Sequence, residues 1–247
     1  GTRPHRQSRA AMGGATMIVL GIETSGKVGS VALCDEDELL AAYTFPEGAR
    51  HARDIMPAID RVVTEAGVPR ADIAAVAVSE GPGSFTGLRV GIACAKTLAY
   101  ALGWKAVGVP SLEVMAQNVG PGGADGCSAT CPVRDARRER VYGTIFEWHG
   151  GRWRDTTGVL IAKPDELAAR IPDGALIFGS GVGAYPDVFR AGRFQVGDRA
   201  LAVGRAEAVA RLGLARVREG RDVDPMALVP RYYRVTEAEE KLGASDR

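Results

Sequence analysis

Short apolar runs separated by polar turns open the chain after residue 16. Three such runs at short spacing, each about as long as an ordinary strand, predict an antiparallel meander. The predicted strands cover residues 17–22, 28–33 and 39–45.

Helical and buried-strand patterns alternate after the meander. Apolar residues recur at helical spacing from Ile55 to Ala66 and predict a helix that stops at Gly67. The remaining elements predicted for this half are a doubly buried strand at 73–78, a helix over 85–102 and another buried strand at 105–109. Three antiparallel strands, helix, strand, helix and strand is the order of a ribonuclease-H-like unit.

The second half of the chain repeats this order of elements with negligible identity to the first. A second meander is predicted first, followed by a helix with proline in its first turn, a buried strand, a glycine-rich loop and an amphipathic helix. These elements cover residues 127–134, 141–148, 153–161, 164–171, 175–178, 179–183 and 201–218.

Two tandem units predict an α/β protein with the actin-like (ASKHA) duplicated ribonuclease-H-like fold, in which each domain has a mixed sheet flanked by helices. We expect an N-terminal domain over residues 17–110 and a C-terminal domain over 111–247, whose tail could pack back on the N-terminal domain. Residues 1–16 carry three arginines, no acid and little apolar pattern. They are expected to be a disordered leader, either a vector scar or misassigned start, or an organelle transit peptide.

Composition excludes several classes of protein. The chain has 247 residues, 31 Lys+Arg against 30 Asp+Glu, and a formal net charge of +1. It has no apolar run long enough to span a membrane and no basic excess that would bind nucleic acid unaided. Its four cysteines are too few for a disulfide scaffold, and its three histidines are scattered. We therefore expect a reduced, cytoplasmic protein without a zinc site.

The clearest local motif is GPGSFTG at residues 81–87, between a predicted strand and a predicted helix. Glycines there would let a phosphate approach the backbone and the helix N-terminus. A plain strand-to-helix turn explains the motif equally well, with Ser84 as the N-cap of the helix.

A second glycine loop at residues 179–183 takes the matching place in the second half. The two loops and the first hairpin together form the constellation of a nucleotide cleft. Glu23 would serve an Mg²⁺-phosphate there, or would be a solvated turn residue. The candidate nucleotide-binding residues are Glu23, Thr24, Gly81, Gly83, Ser84, Gly179 and Gly181.

The helix over residues 85–102 is apolar almost all the way round, which indicates burial on more than one side. Together with the preceding helix it predicts a protein–protein interface, with a wholly internal core as the alternative. Such a face would also form a homodimer when the chain is alone. The predicted interface residues are Ile55, Met56, Ile59, Leu88, Ile92, Ala95 and Ala99.

Five segments, in order along the chain, carry a family resemblance. They are ETSGKVGSVAL (23–33), GPGSFTGLRVGI (81–92), GVPSLEVMA (108–116), DARR (135–138) and PRYYR (230–234). Together they resemble the TsaB (YeaZ) family, which acts in bacterial synthesis of N6-threonylcarbamoyladenosine on tRNA. The resemblance extends essentially from Met17 to the C-terminus.

The resemblance implies a non-catalytic subunit that binds and activates a catalytic paralogue, TsaD, through the two N-terminal helices. A TsaE-like ATPase would join the complex, and tRNA would be bound only through the complex. No cofactor would be required, although ATP or ADP could be present in the complex. In catalytic relatives the segment at 108–116 carries a metal-binding HxxxH, whose places are taken here by Ser111 and Met115.

Two positions depart from the family pattern. Glu23 replaces the usual aspartate, and Arg140 stands where a glutamate is common. The alternative function is an ATP-dependent actin-superfamily enzyme, such as a small-molecule kinase, or a metallopeptidase-like protein. We find no residues to assign as catalytic or as metal ligands.

Overall fold

The computed structural model describes residues 16–46, 48, 51–120, 126–190 and 193–233. The predicted leader lies outside this part of the chain except for Thr16. Within the described ranges, none of the helices has the length and apolarity needed to cross a bilayer.

The first half of the chain forms a five-stranded sheet and two helices. The elements are β1 (Ile18–Glu23), β2 (Ser30–Cys34), β3 (Leu39–Thr44), α1 (His51–Ala66), β4 (Ile73–Gly81), α2 (Phe85–Leu102) and β5 (Lys105–Pro110). The strands lie in the order β3-β2-β1-β4-β5, with β1, β2 and β3 antiparallel and β1, β4 and β5 parallel. The predicted meander and both predicted buried strands are therefore confirmed.

Helices cover both faces of the first sheet. Leu20 and its neighbours pack under α1 and α2, whereas Val19 packs under a helix from the second half, α7 (Ala206–Arg218). A Cβ on Gly21 would overlap the backbone of α7, so glycine is required for this close approach. A helix beyond residue 111 thus belongs to the core of the first sheet, and the predicted domain boundary remains a prediction.

The second sheet repeats the strand order of the first. Its main path is β10-β7-β6-β11-β12, and β8 pairs with both β6 and β9. The predicted fold class is confirmed. Between the sheets lies α3 (Ser111–Ala116), and the rest are β6 (Ala129–Arg137), β7 (Arg140–Gly143), β8 (Phe146–His149), β9 (Arg152–Asp155), β10 (Leu160–Ala162), α4 (Pro164–Ala168), β11 (Leu176–Phe178), α5 (Ser180–Ala184), α6 (Pro186–Phe189) and β12 (Gln195–Val196).

The prediction of single strands over 141–148 and 153–161 is wrong. Each range is split, because an extra hairpin, β8–β9, is inserted between the second and third strands of the repeat. The β6 strand accommodates it by changing partners: Thr130 pairs with Phe146 of β8, whereas Val133 pairs with Gly143 of β7. Each of the four resulting strands carries an aromatic or aliphatic side chain, so hydrophobicity alone could not reveal the change.

The helix predicted over 201–218 is also interrupted. A short 3-10 helix (Arg199–Ala202) comes first, and α7 begins only at Ala206. Gly204 lies between them, where a Cβ would come within 2.9 Å of the Glu23 carboxyl group. At this break the chain therefore lies against Glu23, the last residue of β1.

Candidate functional site

The predicted cleft residues lie where strands of the two sheets end. Glu23 ends β1, Gly81 ends β4, and Gly179 follows β11. The structure brings the first two segments together around Ser25, whose carbonyl oxygen accepts the Ser84 N–H at 2.8 Å. The loop at Gly179 packs on β6 instead. The side chain of Arg134, also on β6, links the sheet of this loop to the residues around Ser25.

Ser84 is the N-cap of α2. Its Oγ accepts the Gly87 N–H at 3.2 Å, as the strand-to-helix interpretation of the motif predicted. Gly81 has a φ of +118°, a backbone conformation that favours glycine, and donates its N–H to Ser111 Oγ at 3.1 Å. Hydrogen bonds within the chain therefore account for the conformation of this turn.

The remaining glycines of this motif, and Gly91 one turn further along α2, lie against protein atoms. A Cβ on Gly83 would lie 2.5 Å from the Ser25 carbonyl oxygen and 2.9 Å from Arg134 Nη1. A Cβ on Gly87 would overlap the Thr24 carbonyl group, and one on Gly91 would overlap Thr24 Oγ1. Their small size thus lets the start of α2 sit directly on the end of β1.

The second glycine loop behaves in the same way. Residues 179–183 were predicted to form a loop, but most of them form α5. Gly179 has a φ of +117°, and a Cβ there would overlap the Val133 carbonyl oxygen. A Cβ on Gly181 would lie 2.5 Å from Val133 Cγ1. Both glycines therefore serve the packing of α5 on β6.

Glu23 is buried with 1% of its surface exposed, so its interpretation as a solvated turn residue is wrong. Its Oε1 accepts the Ser25 N–H at 2.6 Å. Glu23 Oε2 and Thr24 Oγ1 have no hydrogen-bond partner among the described residues. Gly204 covers the carboxyl group from the side of α7.

Arg134 is the cleft residue that the sequence analysis missed. From β6 its guanidinium donates to the Ser25 carbonyl oxygen at 2.8 Å, to Ser25 Oγ at 3.0 Å and to Met115 Sδ at 3.1 Å. Burial lowers the pKa of Arg134, and the nearby charge of Glu23 acts in the opposite direction. An arginine at the end of a predicted strand of the second meander was the available signal.

These residues do not fit a phosphate group held at the glycine motif, because protein atoms already occupy the faces that the glycines leave open. The two HxxxH places are also used internally, since Ser111 accepts a backbone N–H and Met115 contacts Arg134. Across the described segments, no three His, Cys, Asp or Glu side chains are grouped so that they could hold a metal ion.

The predicted interface residues require a correction. All of them except Met56 lie in the core between the first sheet and its two helices, so they do not form a surface. The prediction chose the inner face of the helix pair, which is also strongly apolar. The buried residues are Ile55, Ile59, Leu88, Ile92, Ala95 and Ala99.

The outer face of the helix pair nevertheless exposes apolar side chains. Tyr100 is 77% exposed and Met56 is 45% exposed, and Ala93 lies on the same outer side of α2. Met56 Sδ and Cys94 Sγ approach to 3.7 Å and join the two helices at the surface. We call Met56, Ala93, Cys94 and Tyr100 the outer helix face.

The C-terminal described segment returns to the first sheet. Arg231 donates its N–H to the Glu80 carbonyl oxygen at 2.8 Å and pairs with the buried Glu80 carboxylate at 3.0 Å. Burial raises the pKa of Glu80, which Arg231 partly opposes. Tyr232 stacks near Phe85 with ring centroids 5.0 Å apart and accepts a hydrogen bond from Arg89 Nε at 2.9 Å. Residues 231 and 232 thus hold the end of the described chain beside Glu80 and α2.

Comparison with known proteins assigns a family. The family model described as "TsaD: tRNA N6-adenosine threonylcarbamoyltransferase" matches residues 45–211. The chain is 31% identical over 232 residues to the tRNA threonylcarbamoyladenosine biosynthesis protein TsaB of Bacillus subtilis, covering 91% of this chain and 97% of that protein. It is 30% identical over 235 residues to the TsaB protein of Escherichia coli, covering 92% and 98% respectively.

A solved structure agrees with these relatives. YeaZ from Pseudomonas aeruginosa superposes with a TM-score of 0.75 at 26% sequence identity. The superposition covers 87% of this chain and 99% of that chain. Similarity over nearly the full length, in both sequence and structure, shows that both halves of the fold are shared.

Proposed function

Because this chain belongs to the TsaB family and contains a TsaD-like domain, we propose that it is the non-catalytic subunit of tRNA N6-threonylcarbamoyladenosine synthesis that binds and activates the catalytic paralogue TsaD. The structural observation that carries this proposal is the outer helix face, which exposes apolar side chains on two neighbouring helices. We also propose that this synthesis takes place on tRNA in the cytoplasm.

The outer helix face has the chemistry of a protein-binding surface. Exposed aromatic and methionine side chains are enriched at interfaces, where charged groups are depleted. On α2 the two charged side chains are already engaged: Arg89 lies over the Phe85 ring at 3.8 Å, and Lys96 Nζ donates to the Met226 carbonyl oxygen at 3.0 Å. A partner helix that packs beside Ala93 would therefore meet charged side chains that are already held by ring or hydrogen-bond contacts within the chain.

The cleft supports a non-catalytic role. Ser111 and Met115 stand at the metal-ligand places, and both contact other parts of the chain. Neither is a good ligand for a hard or borderline metal. The chemistry of threonylcarbamoyl transfer would then belong to the partner, and this subunit would need no cofactor of its own.

The proposed assembly has further members. A TsaE-like ATPase would join it, with ATP or ADP entering there, and the outer helix face would form a homodimer when TsaD is absent. The chain's net charge of +1 supports binding of tRNA through the complex rather than by this subunit alone.

Ala93→Glu tests the proposed surface. Ala93 is exposed on α2, so a glutamate there leaves the core untouched and places a charge at the centre of the outer helix face. The matched control is Ala215→Glu, an exposed alanine on α7, which packs on the opposite face of the same sheet. Both variants make the same chemical change on an exposed helix.

We expect Ala93→Glu to weaken binding of purified TsaD at least tenfold in calorimetry and to reduce threonylcarbamoyladenosine formation on tRNA in the reconstituted reaction. Ala215→Glu should behave as the unmodified chain does. TsaD binding of unchanged affinity by Ala93→Glu would show that the outer helix face is not the partner surface. Absence of TsaD binding by the unmodified chain would reject the function itself.

A further inference from the structure

Arg134 connects the two sheets from inside the cleft, in the region where the fold would hold a ligand. We propose that Arg134 is a built-in substitute for a cleft ligand, a positioning residue whose guanidinium holds the two sheets in one fixed arrangement without nucleotide. This proposal concerns the cleft and does not depend on the identity of any partner.

Arg134 joins three separate parts of the chain. The side chain starts on β6 of the second sheet, and its nitrogens reach Ser25 after β1 of the first sheet and Met115 on the linking helix α3. Two of its donors bond to one residue, Ser25, through the carbonyl oxygen and through Oγ. A planar guanidinium suits such paired acceptors better than a lysine ammonium does.

The same carbonyl oxygen anchors the glycine motif. Ser25 O accepts both Arg134 Nη1 at 2.8 Å and the Ser84 N–H at 2.8 Å. Gly83 lies against this junction, since a Cβ there would be 2.9 Å from Arg134 Nη1. The open face of Gly83, which could otherwise admit a phosphate, is therefore filled by Ser25 and the guanidinium together.

An opposite charge lies near the junction. Burial lowers the pKa of Arg134, and the charge of the Glu23 carboxyl group, which ends β1, acts in the opposite direction. In a ligand-gated cleft, the cation and phosphates that join the two sides can leave. Here the joining group is covalently attached to β6, so it stays at the junction, and the two sides separate only if its hydrogen bonds to Ser25 and Met115 break.

Arg134→Met tests the proposal because methionine keeps much of the length and volume of the side chain and removes every donor. Arg140→Met is the matched control, since Arg140 is exposed on the neighbouring strand β7. Thr64 and Arg170 are exposed, so each would be replaced by cysteine and spin-labelled in the full chain, with Cys94→Ala to prevent labelling there. Double electron–electron resonance would then measure the distance between the two halves. Exchange of the Ser84 amide hydrogen would report the junction itself.

We expect the unmodified chain and Arg140→Met to give one narrow distance distribution that Mg-ATP does not shift. Arg134→Met should broaden that distribution and speed exchange of the Ser84 amide at least tenfold. Arg134→Lys keeps the charge but loses the paired geometry, so its distance distribution and exchange rate should lie between those of the unmodified chain and Arg134→Met. It replaces Arg134→Met in the test if that variant does not fold. A distribution that Mg-ATP shifts in the unmodified chain, or unchanged distances and exchange in the folded Arg134 variants, would overturn the proposal.

Discussion

Replacing Ile92 by glutamate tests whether the inner face of α2 is core or partner surface. Ile92 is 3% exposed and packs in the core cluster between the first sheet and its two helices. Loss of a buried isoleucine side chain typically costs about 2–5 kcal/mol. Burying an unpaired carboxylate adds several kcal/mol more. The total approaches the whole stability of an ordinary domain, about 5–15 kcal/mol.

The neighbouring substitution Ala93→Glu provides the comparison. Because Ala93 is exposed, we expect it to change the free energy of unfolding by no more than about 0.5 kcal/mol. Urea unfolding followed by circular dichroism would measure both variants, with Ile92→Ala included at an expected loss of about 2–5 kcal/mol in case Ile92→Glu does not fold. Equal unfolding midpoints for Ile92→Glu, Ile92→Ala and Ala93→Glu would refute the assignment of Ile92 to the core.

Two further predictions concern single polar groups. Ser84→Ala removes the N-cap acceptor of Gly87 and should lower the free energy of unfolding by about 1 kcal/mol in urea titrations, whereas Ser84→Asp should restore most of it. Burial raises the pKa of Glu80 in the folded state, so the folded state binds more protons and stability should fall as pH rises between the unfolded and folded pKa values. Unfolding measurements from about pH 4 to about pH 7 should show the stability of the unmodified chain falling relative to that of Glu80→Gln, and a parallel pH dependence would contradict the burial effect.

Elements with local boundaries were predictable from the sequence. The predicted helix over residues 85–102 matches α2, because Ser84 caps its start and Gly103 ends it with a φ of +68°. The buried strands β4 and β5 were predictable because both of their faces are covered by helices. For α2 the deciding interactions lie within a few residues of each other, whereas burial of the strands on both faces leaves a continuous apolar run that the sequence itself displays.

Elements decided by distant contacts were not predictable. The split of residues 141–148 depends on which part of β6 each strand meets, and the gap before α7 depends on the contact of Gly204 with Glu23. The interface prediction failed for a related reason. Both sides of α2 are apolar, and the side that faces the sheet is the one whose Gly87 and Gly91 pack against the distant residue Thr24.

The glycine motif connects the cleft to the surface. A glycine that admits a phosphate also admits a backbone carbonyl group, so sequence alone left both interpretations of residues 81–87 open. The structure uses these glycines to seat α2 on the end of β1, and Arg134 completes the same junction from the other sheet. A helix anchored at its start in this way holds Ala93 and Tyr100 on its outer side in a fixed position. The cleft residues would then contribute to partner binding indirectly, because they orient the face that meets the partner.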